Sequence, residues 1–146
     1  MEYAEEGDLQ NLIKNQILKR KYFSEKEIWK VAWQLCLALL HCHSHDIIHR
    51  DVKPLNVLMG KNKMIKLGDL SESTVVNKEK YMKGKQVGTP LYLSPEIIKK
   101  QAYDHRTDVF SLGVVVYYMA ALELPFNDQN IDGLMNKILY KQPLPF

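Results

Sequence analysis

One stretch limits what this chain can become: Ile48-His49-Arg50-Asp51-Val52-Lys53-Pro54-Leu55-Asn56-Val57-Leu58. Apolar residues flank it, Ile47-Ile48 before and Val57-Leu58-Met59 after, and both flanks read as short buried strands. Between them lies a polar loop holding a carboxylate, a lysine and an amide. Pinned at both ends, such a loop can point Asp51, Lys53 and Asn56 at one spot. Taken singly, Asp51 and Asn56 are ordinary solvated turn residues and Lys53 an ordinary surface lysine. The combination with His49, Arg50 and Pro54 is what asks for another explanation.

The stretch resembles H-R-D-x-x-x-x-N with an inner Lys-Pro, the catalytic loop of the Ser/Thr protein kinases. At about 1/20 per fixed position, chance produces the match on the order of once in 10⁶ sequences of this length. Phosphoryl transfer asks a protein for positioning and charge neutralisation rather than covalent chemistry. The resemblance implies that Asp51 orients the attacking hydroxyl and accepts its proton. It implies that Lys53 reaches the transferring phosphate and that Asn56 holds Mg²⁺. After a hairpin turn at Gly60-Lys61-Asn62-Lys63, Gly68-Asp69-Leu70-Ser71 falls on the family's D-F-G phrase, with Asp69 as the second Mg²⁺ ligand. Two departures stand there. Leu70 replaces Phe and is expected to pack against His49. Ser71 replaces Gly and is expected to cost the free positive φ that Gly allows.

A second specific phrase, Gly88-Thr89-Pro90-Leu91-Tyr92-Leu93-Ser94-Pro95-Glu96, resembles the end of the kinase activation segment, which spans residues 69–96. The resemblance implies that the Thr89 hydroxyl bridges Asp51 and Lys53, the Ser/Thr form of the site, and that residues 91–94 receive the residue after the phosphoacceptor. Lys85 occupies the usual position of an activating phosphothreonine and would repel Arg50. Arg50 is therefore expected to be balanced by Glu72, by Glu79, or by a phosphate on Ser73 or Thr74; otherwise control by phosphorylation is weak. Leu55 stands where many basophilic kinases carry an acidic residue, so no strong preference for substrate arginine is expected from it.

Residues 1–8 resemble the kinase hinge, with Met1 on the gatekeeper position. The resemblance implies nucleotide contacts from Glu2, Ala4, Asp8, Lys53, Asn56, Leu58 and Asp69. Asp8 also reads as an N-cap for a helix with Leu9, Leu12, Ile13 and Ile17 on one face. Ser24-Glu25-Lys26-Glu27 is a capping box opening a long helix over 24–45, with Ile28, Val31, Ala32, Leu35, Leu39 and Leu40 on its apolar face. Trp29 and Trp33 are expected to pack under adjacent elements. His41, His43 and His45 read as a polar helix end with favourable dipole contacts rather than a metal site. The catalytic loop region spans 47–59. Asp108-Val109-Phe110-Ser111-Leu112-Gly113 resembles D-x-W-S-x-G, whose Asp holds the catalytic-loop backbone in the family. The helix over 108–122 is apolar on all faces and so reads as central, with Val115 and Met119 beneath the nucleotide. One more amphipathic helix is expected over 130–140. The family arginine that pairs with Glu96 is not in the chain, so a buried Glu96 would be left unpaired and costly.

Composition adds bounds. The chain has 146 residues, 46% hydrophobic and 25% charged, a globular balance for one domain or part of one. A net charge of +3 is too mild to argue for nucleic acid. The basic clusters, Lys19-Arg20-Lys21 and residues 78–85 around Glu79, read as solvated faces. Cys36 and Cys42 read as reduced packing residues, which points to a cytoplasmic protein, with cytoskeleton or nucleus as further locations. The longest apolar run, residues 112–122, is too short to span a bilayer.

The expected fold is protein kinase-like: a mainly α C-lobe with a small β-hairpin, without the N-lobe or the last C-lobe helices. The expected cofactors are ATP and Mg²⁺, and the partners protein substrates with Ser/Thr acceptors. The parent function is a protein serine/threonine kinase, most like the NIMA-related group. The 146 residues alone are expected to show negligible turnover. The alternative is a truncated, inactive kinase-like module that binds or scaffolds.

Overall fold

The computed structural model describes residues 6–75 and 88–143. Glu2, Ala4, Glu79 and Lys85 lie outside the described residues. Five helices and two small sheets make up the described part: α1 (Leu9–Leu18), α2 (Glu25–Ser44), β1 (Ile47–Ile48), β2 (Val57–Gly60), β3 (Met64–Leu67), β4 (Thr74–Val75), α3 (Pro95–Ile98), α4 (Arg106–Ala121) and α5 (Ile131–Tyr140).

Local chemistry sets the helix starts. Asp8 caps α1, its Oδ1 accepting from the Asn11 N–H at 2.8 Å. Ser24 and Glu27 form the reciprocal capping box of α2: Glu27 N–H donates to Ser24 Oγ at 3.3 Å, and Ser24 N–H to Glu27 Oε2 at 2.9 Å. Asn130 caps α5 by accepting from the Gly133 N–H at 2.7 Å. The expected helices are therefore present, with ends within one or two residues of those read from the sequence.

The main core lies where α2 meets α4 and the β2–β3 hairpin. Val31, Leu35 and Leu39 pack with Leu112, Val115 and Met119, and with Val57, Met59 and Ile65. Smaller clusters join Ile48 to Leu93, Ile97 and Tyr103, and Phe126 to Leu134 and Ile138. Helix α4 is central, yet it exposes a strip at Val109 and Gly113.

Several apolar residues fall outside this core. Trp29 and Trp33 do not pack under neighbours: they are 66% and 65% exposed. They lie one helical turn apart on the outer face of α2, where the Trp29 indole N–H donates to Glu25 Oε1 at 3.1 Å. Ile17 and Leu40 are also exposed, at the edges of their helices' apolar faces. Periodicity finds a face but not where a neighbouring element stops covering it.

The β2–β3 hairpin pairs Val57 with Leu67 and Gly60 with Met64. Its turn uses left-handed backbone at Asn62 and Lys63, φ 60° and 57°. Gln34 of α2 clamps the hairpin: its Oε1 accepts from the Ile65 N–H at 2.9 Å and its Nε2 donates to the Lys63 carbonyl at 3.3 Å. A second pairing was not expected. β1 runs antiparallel to β4, Ile48 opposite Thr74, tying the start of the catalytic loop to the segment after Asp69. Two-residue strands are too short for a pattern of alternation. Among the described residues no helix is long and apolar enough to cross a membrane.

Candidate active site

Asp108, in the first turn of α4, is fully buried and organises the loop before Asp51. Its Oδ2 accepts from the His49 N–H at 2.9 Å and its Oδ1 from the Arg50 N–H at 2.8 Å. His43, near the end of α2, adds its Nε2 at 2.8 Å from Oδ2. So one of the three helix-end histidines, His43, has a partner distant in sequence, while His45 Nδ1 bonds within the helix end, to the His41 carbonyl at 2.8 Å. Held in this way, Arg50 adopts φ 67°, a left-handed conformation that a non-glycine residue keeps only when its surroundings impose it.

Asp51 follows, 6% exposed. Lys53 Nζ donates to its Oδ2 at 2.6 Å and to the Thr89 hydroxyl oxygen at 2.9 Å. The Thr89 hydroxyl donates to Asp51 Oδ1 at 2.9 Å. Asn56, set by the 3-10 turn Pro54–Asn56, donates from Nδ2 to the Asp51 carbonyl at 2.8 Å and to its Oδ2 at 3.0 Å. Asp51, Lys53, Asn56 and Thr89 are thus one hydrogen-bonded group. Burial pushes the Asp51 carboxyl up, but the hydrogen bonds from Lys53, Thr89 and Asn56 and the Lys53 charge outweigh it and hold it below the usual carboxylate value. At neutral pH it is a carboxylate with lone pairs left to accept from a hydroxyl.

Asp69 leaves β3 on the other side. The Gly68 N–H donates to the Asn56 carbonyl at 2.8 Å, which links the two segments. Asp69 is exposed, and the positive φ of this phrase lies at Asp69 itself, 60°, not at Ser71. Ser71 therefore does not bear the backbone cost expected of it. Its hydroxyl instead donates to Asp69 Oδ1 at 2.6 Å, and its N–H to the same oxygen at 3.3 Å. These hydrogen bonds from Ser71 hold the Asp69 carboxyl below its usual value. Leu70, expected to pack against His49, is 54% exposed. The His49 ring is engaged elsewhere, by the Gly68 carbonyl at 3.1 Å and the Asp51 N–H at 3.3 Å.

The residues fit a divalent cation. Among the described residues no buried side-chain oxygen or nitrogen lacks a hydrogen bond, so the Asn56 side-chain amide oxygen, Oδ1, which takes none, reaches solvent. It and the Asp69 carboxylate are hard oxygen donors suited to Mg²⁺. Among the described residues no group of three His, Cys, Asp or Glu could hold a metal. A Mg²⁺ here would need further oxygens beyond these two side chains.

Ahead of α1, Asp8 pairs with Leu58 as an isolated β-bridge, and the Met59 N–H donates to the Gly7 carbonyl at 2.8 Å. This brings two expected nucleotide-contacting residues together. Asp8 spends both carboxylate oxygens on Asn11, at 2.8 and 3.0 Å.

Arg50 is not balanced by the Glu72 carboxylate. Its guanidinium donates to the backbone carbonyls of Glu72 and Ser73 and, at 3.2 Å, to the Tyr103 hydroxyl. The β1–β4 pairing carries those carbonyls to it. Gly88 permits the approach of Thr89: its φ is +110°, and a Cβ would lie 2.6 Å from the Arg50 carbonyl oxygen. Beyond it, the Ser111 hydroxyl donates to the Tyr92 carbonyl at 2.8 Å, and Ser94 and Thr107 share a 2.7 Å hydrogen bond, so α4 anchors this stretch too. Small hydroxyl residues on an apolar helix were the signal for this anchorage. Glu96 is not sealed unpaired in the interior: it is partly exposed, in a groove lined by Tyr103, Asp104 and Phe110.

Comparison with known proteins identifies the family. The protein kinase domain family model matches residues 1–144. The chain is 41% identical over 143 residues to the probable serine/threonine-protein kinase nek3 of Dictyostelium discoideum, covering 95% of this chain and 13% of the relative. It is 40% identical over 139 residues to human serine/threonine-protein kinase Nek5, covering 94% of this chain and 19% of that protein. Against human Nek2 it is 37% identical over 143 residues, 94% of this chain and 32% of the relative. The chain therefore spans between about an eighth and a third of the length of these relatives. With its catalytic-loop and activation-segment phrases assembled around one carboxylate, the chain belongs to the protein kinase domain family, and its relatives there are Nek serine/threonine kinases.

Proposed function

We propose that these residues form the phosphoryl-transfer centre of a protein serine/threonine kinase that moves the γ-phosphoryl of ATP to Ser or Thr of protein substrates. The observation that carries the proposal is the triangle of Asp51, Lys53 and Thr89. Both oxygens of Asp51 are fixed, so a substrate hydroxyl donating to it is aimed along one line. The new bond forms between that hydroxyl oxygen and the γ-phosphorus as the bond to the β-phosphate oxygen breaks, and the hydroxyl proton passes to Asp51. A carboxylate held this low is a weak base, so its main contributions are orientation and taking the proton late. Lys53 has three N–H donors and spends two on Asp51 and Thr89, leaving one for the transferred phosphate. Asn56 and Asp69 would hold Mg²⁺, which supplies charge neutralisation at the phosphates. The free thiols Cys36 and Cys42 suit a reducing compartment, in keeping with a cytoplasmic kinase.

Asp51→Asn in the full protein tests this. It keeps the shape and hydrogen-bonding reach of the side chain but cannot accept the proton. Phosphate incorporation into a Ser/Thr protein substrate should fall roughly 10²- to 10⁴-fold, with nucleotide affinity little changed. Unaltered turnover would refute the assignment. Nucleotide and substrate binding without turnover in the unmutated protein would favour a binding module instead.

A further inference from the structure

Ser71 stands where the kinase phrase has glycine, and both of its donors converge on one oxygen. Its hydroxyl lies 2.6 Å and its amide 3.3 Å from Asp69 Oδ1. We propose that Ser71 is a positioning residue that locks the Asp69 carboxylate for a divalent cation, by occupying Oδ1 and leaving Oδ2 presented. The inference rests on the reading that Asp69 and Asn56 hold the metal.

Asp69 is exposed, and an exposed carboxylate otherwise samples several rotamers, each of which a metal must select against. The Ser71 hydroxyl contact is a short, charge-assisted hydrogen bond. A glycine in its place would retain only the longer amide contact. Asp69 Oδ2 takes no hydrogen bond among the described residues, so no hydrogen-bond donor has to be displaced there by a cation. Oδ1 keeps a free lone pair, so the lock does not exclude a second contact to the metal. Ser71 has no positive φ, so a β-branched residue with the same hydroxyl is compatible with its backbone. Partners of this kind, outside the ligands themselves, typically set metal affinity by 10- to 100-fold.

The test is Mn²⁺ binding to the full protein with a non-hydrolysable ATP analogue, followed by electron paramagnetic resonance. Ser71→Ala, which removes the hydroxyl without loosening the backbone, should weaken Mn²⁺ binding about 10-fold. Ser71→Thr should restore it. In kinase assays, the Mg²⁺ concentration for half-maximal rate should rise for Ser71→Ala while the rate at saturating Mg²⁺ stays near that of the unmutated protein. If Ser71→Ala binds Mn²⁺ as tightly as the unmutated protein, or more tightly, the proposal is overturned. Asp69→Asn separates the two levels. If it abolishes Mn²⁺ binding while Ser71→Ala does nothing, only the positioning role fails. If it leaves Mn²⁺ binding intact, the metal reading fails and the positioning role falls with it.

Discussion

At the scale of single residues, Asp51 is held by partners from different parts of the chain: Lys53 and Asn56 from its own loop, Thr89 from 38 residues away. Each favours the ionised form. Because the folded carboxyl lies below its unfolded value of about 3.9, it contributes stability above that pH and loses it as pH falls through the folded value. Thr89→Ala removes one of these hydrogen bonds and should raise the folded value toward the ordinary one. Its stability deficit, read by urea unfolding, should therefore be largest near neutral pH and shrink in acid. The acid limb of its kcat/KM profile should move to higher pH. A deficit that stays constant with pH would mean that Thr89 acts through packing alone. The residue types of this centre were legible in the sequence because the phrase around Asp51 is short and local. The second use of Ser71 was not, since a hydroxyl next to a carboxylate is seen only once the turn brings them together.

At the scale of elements, α4 reaches past its own packing to hold two loops. Asp108 takes the His49 and Arg50 amides, and Ser111 takes the Tyr92 carbonyl. Replacing Asp108 with Ala strips two amides of their acceptor in a site from which water is largely excluded. At about 1–3 kcal/mol for each unsatisfied group, Asp108→Ala should destabilise the protein by about 3 kcal/mol, measured by denaturant unfolding. It should also remove phosphoryl transfer, because the backbone before Asp51 is no longer fixed. A loss under about 0.5 kcal/mol would show that water replaces the carboxylate. The helix and its leading Asp are plain in the sequence. The third contact, from His43, lies 65 residues away and is fixed only by how α2 lies beside α4.

At the scale of the whole molecule, stability comes from the layer between α2, α4 and the hairpin. Leu35 is fully buried there, whereas Trp33, two residues earlier, is 65% exposed. Leu35→Ala should cost about 2–5 kcal/mol in thermal or urea unfolding. Trp33→Ala, a larger truncation, should cost within about 0.5 kcal/mol. If Trp33→Ala were the more damaging of the two, this face of α2 would be covered in the full protein. Side-chain size alone ranks these residues in the reverse order, and only their placement in the packed molecule corrects it.

Local rules suffice where the determinant is a few neighbouring residues. The capping box at Ser24, the cap at Asp8, the hairpin turn at Asn62 and the catalytic phrase at residues 49–56 each follow from short-range hydrogen bonding and backbone preference. The sequence by itself thus determined the four longer helices, the β2–β3 hairpin and the chemical groups on offer. Tertiary structure alone decided which apolar faces were covered, which partners met Arg50, and how Thr89 came to Asp51 past Gly88. Those outcomes depend on contacts between segments tens of residues apart, where burial and chain entropy are settled over the whole domain at once.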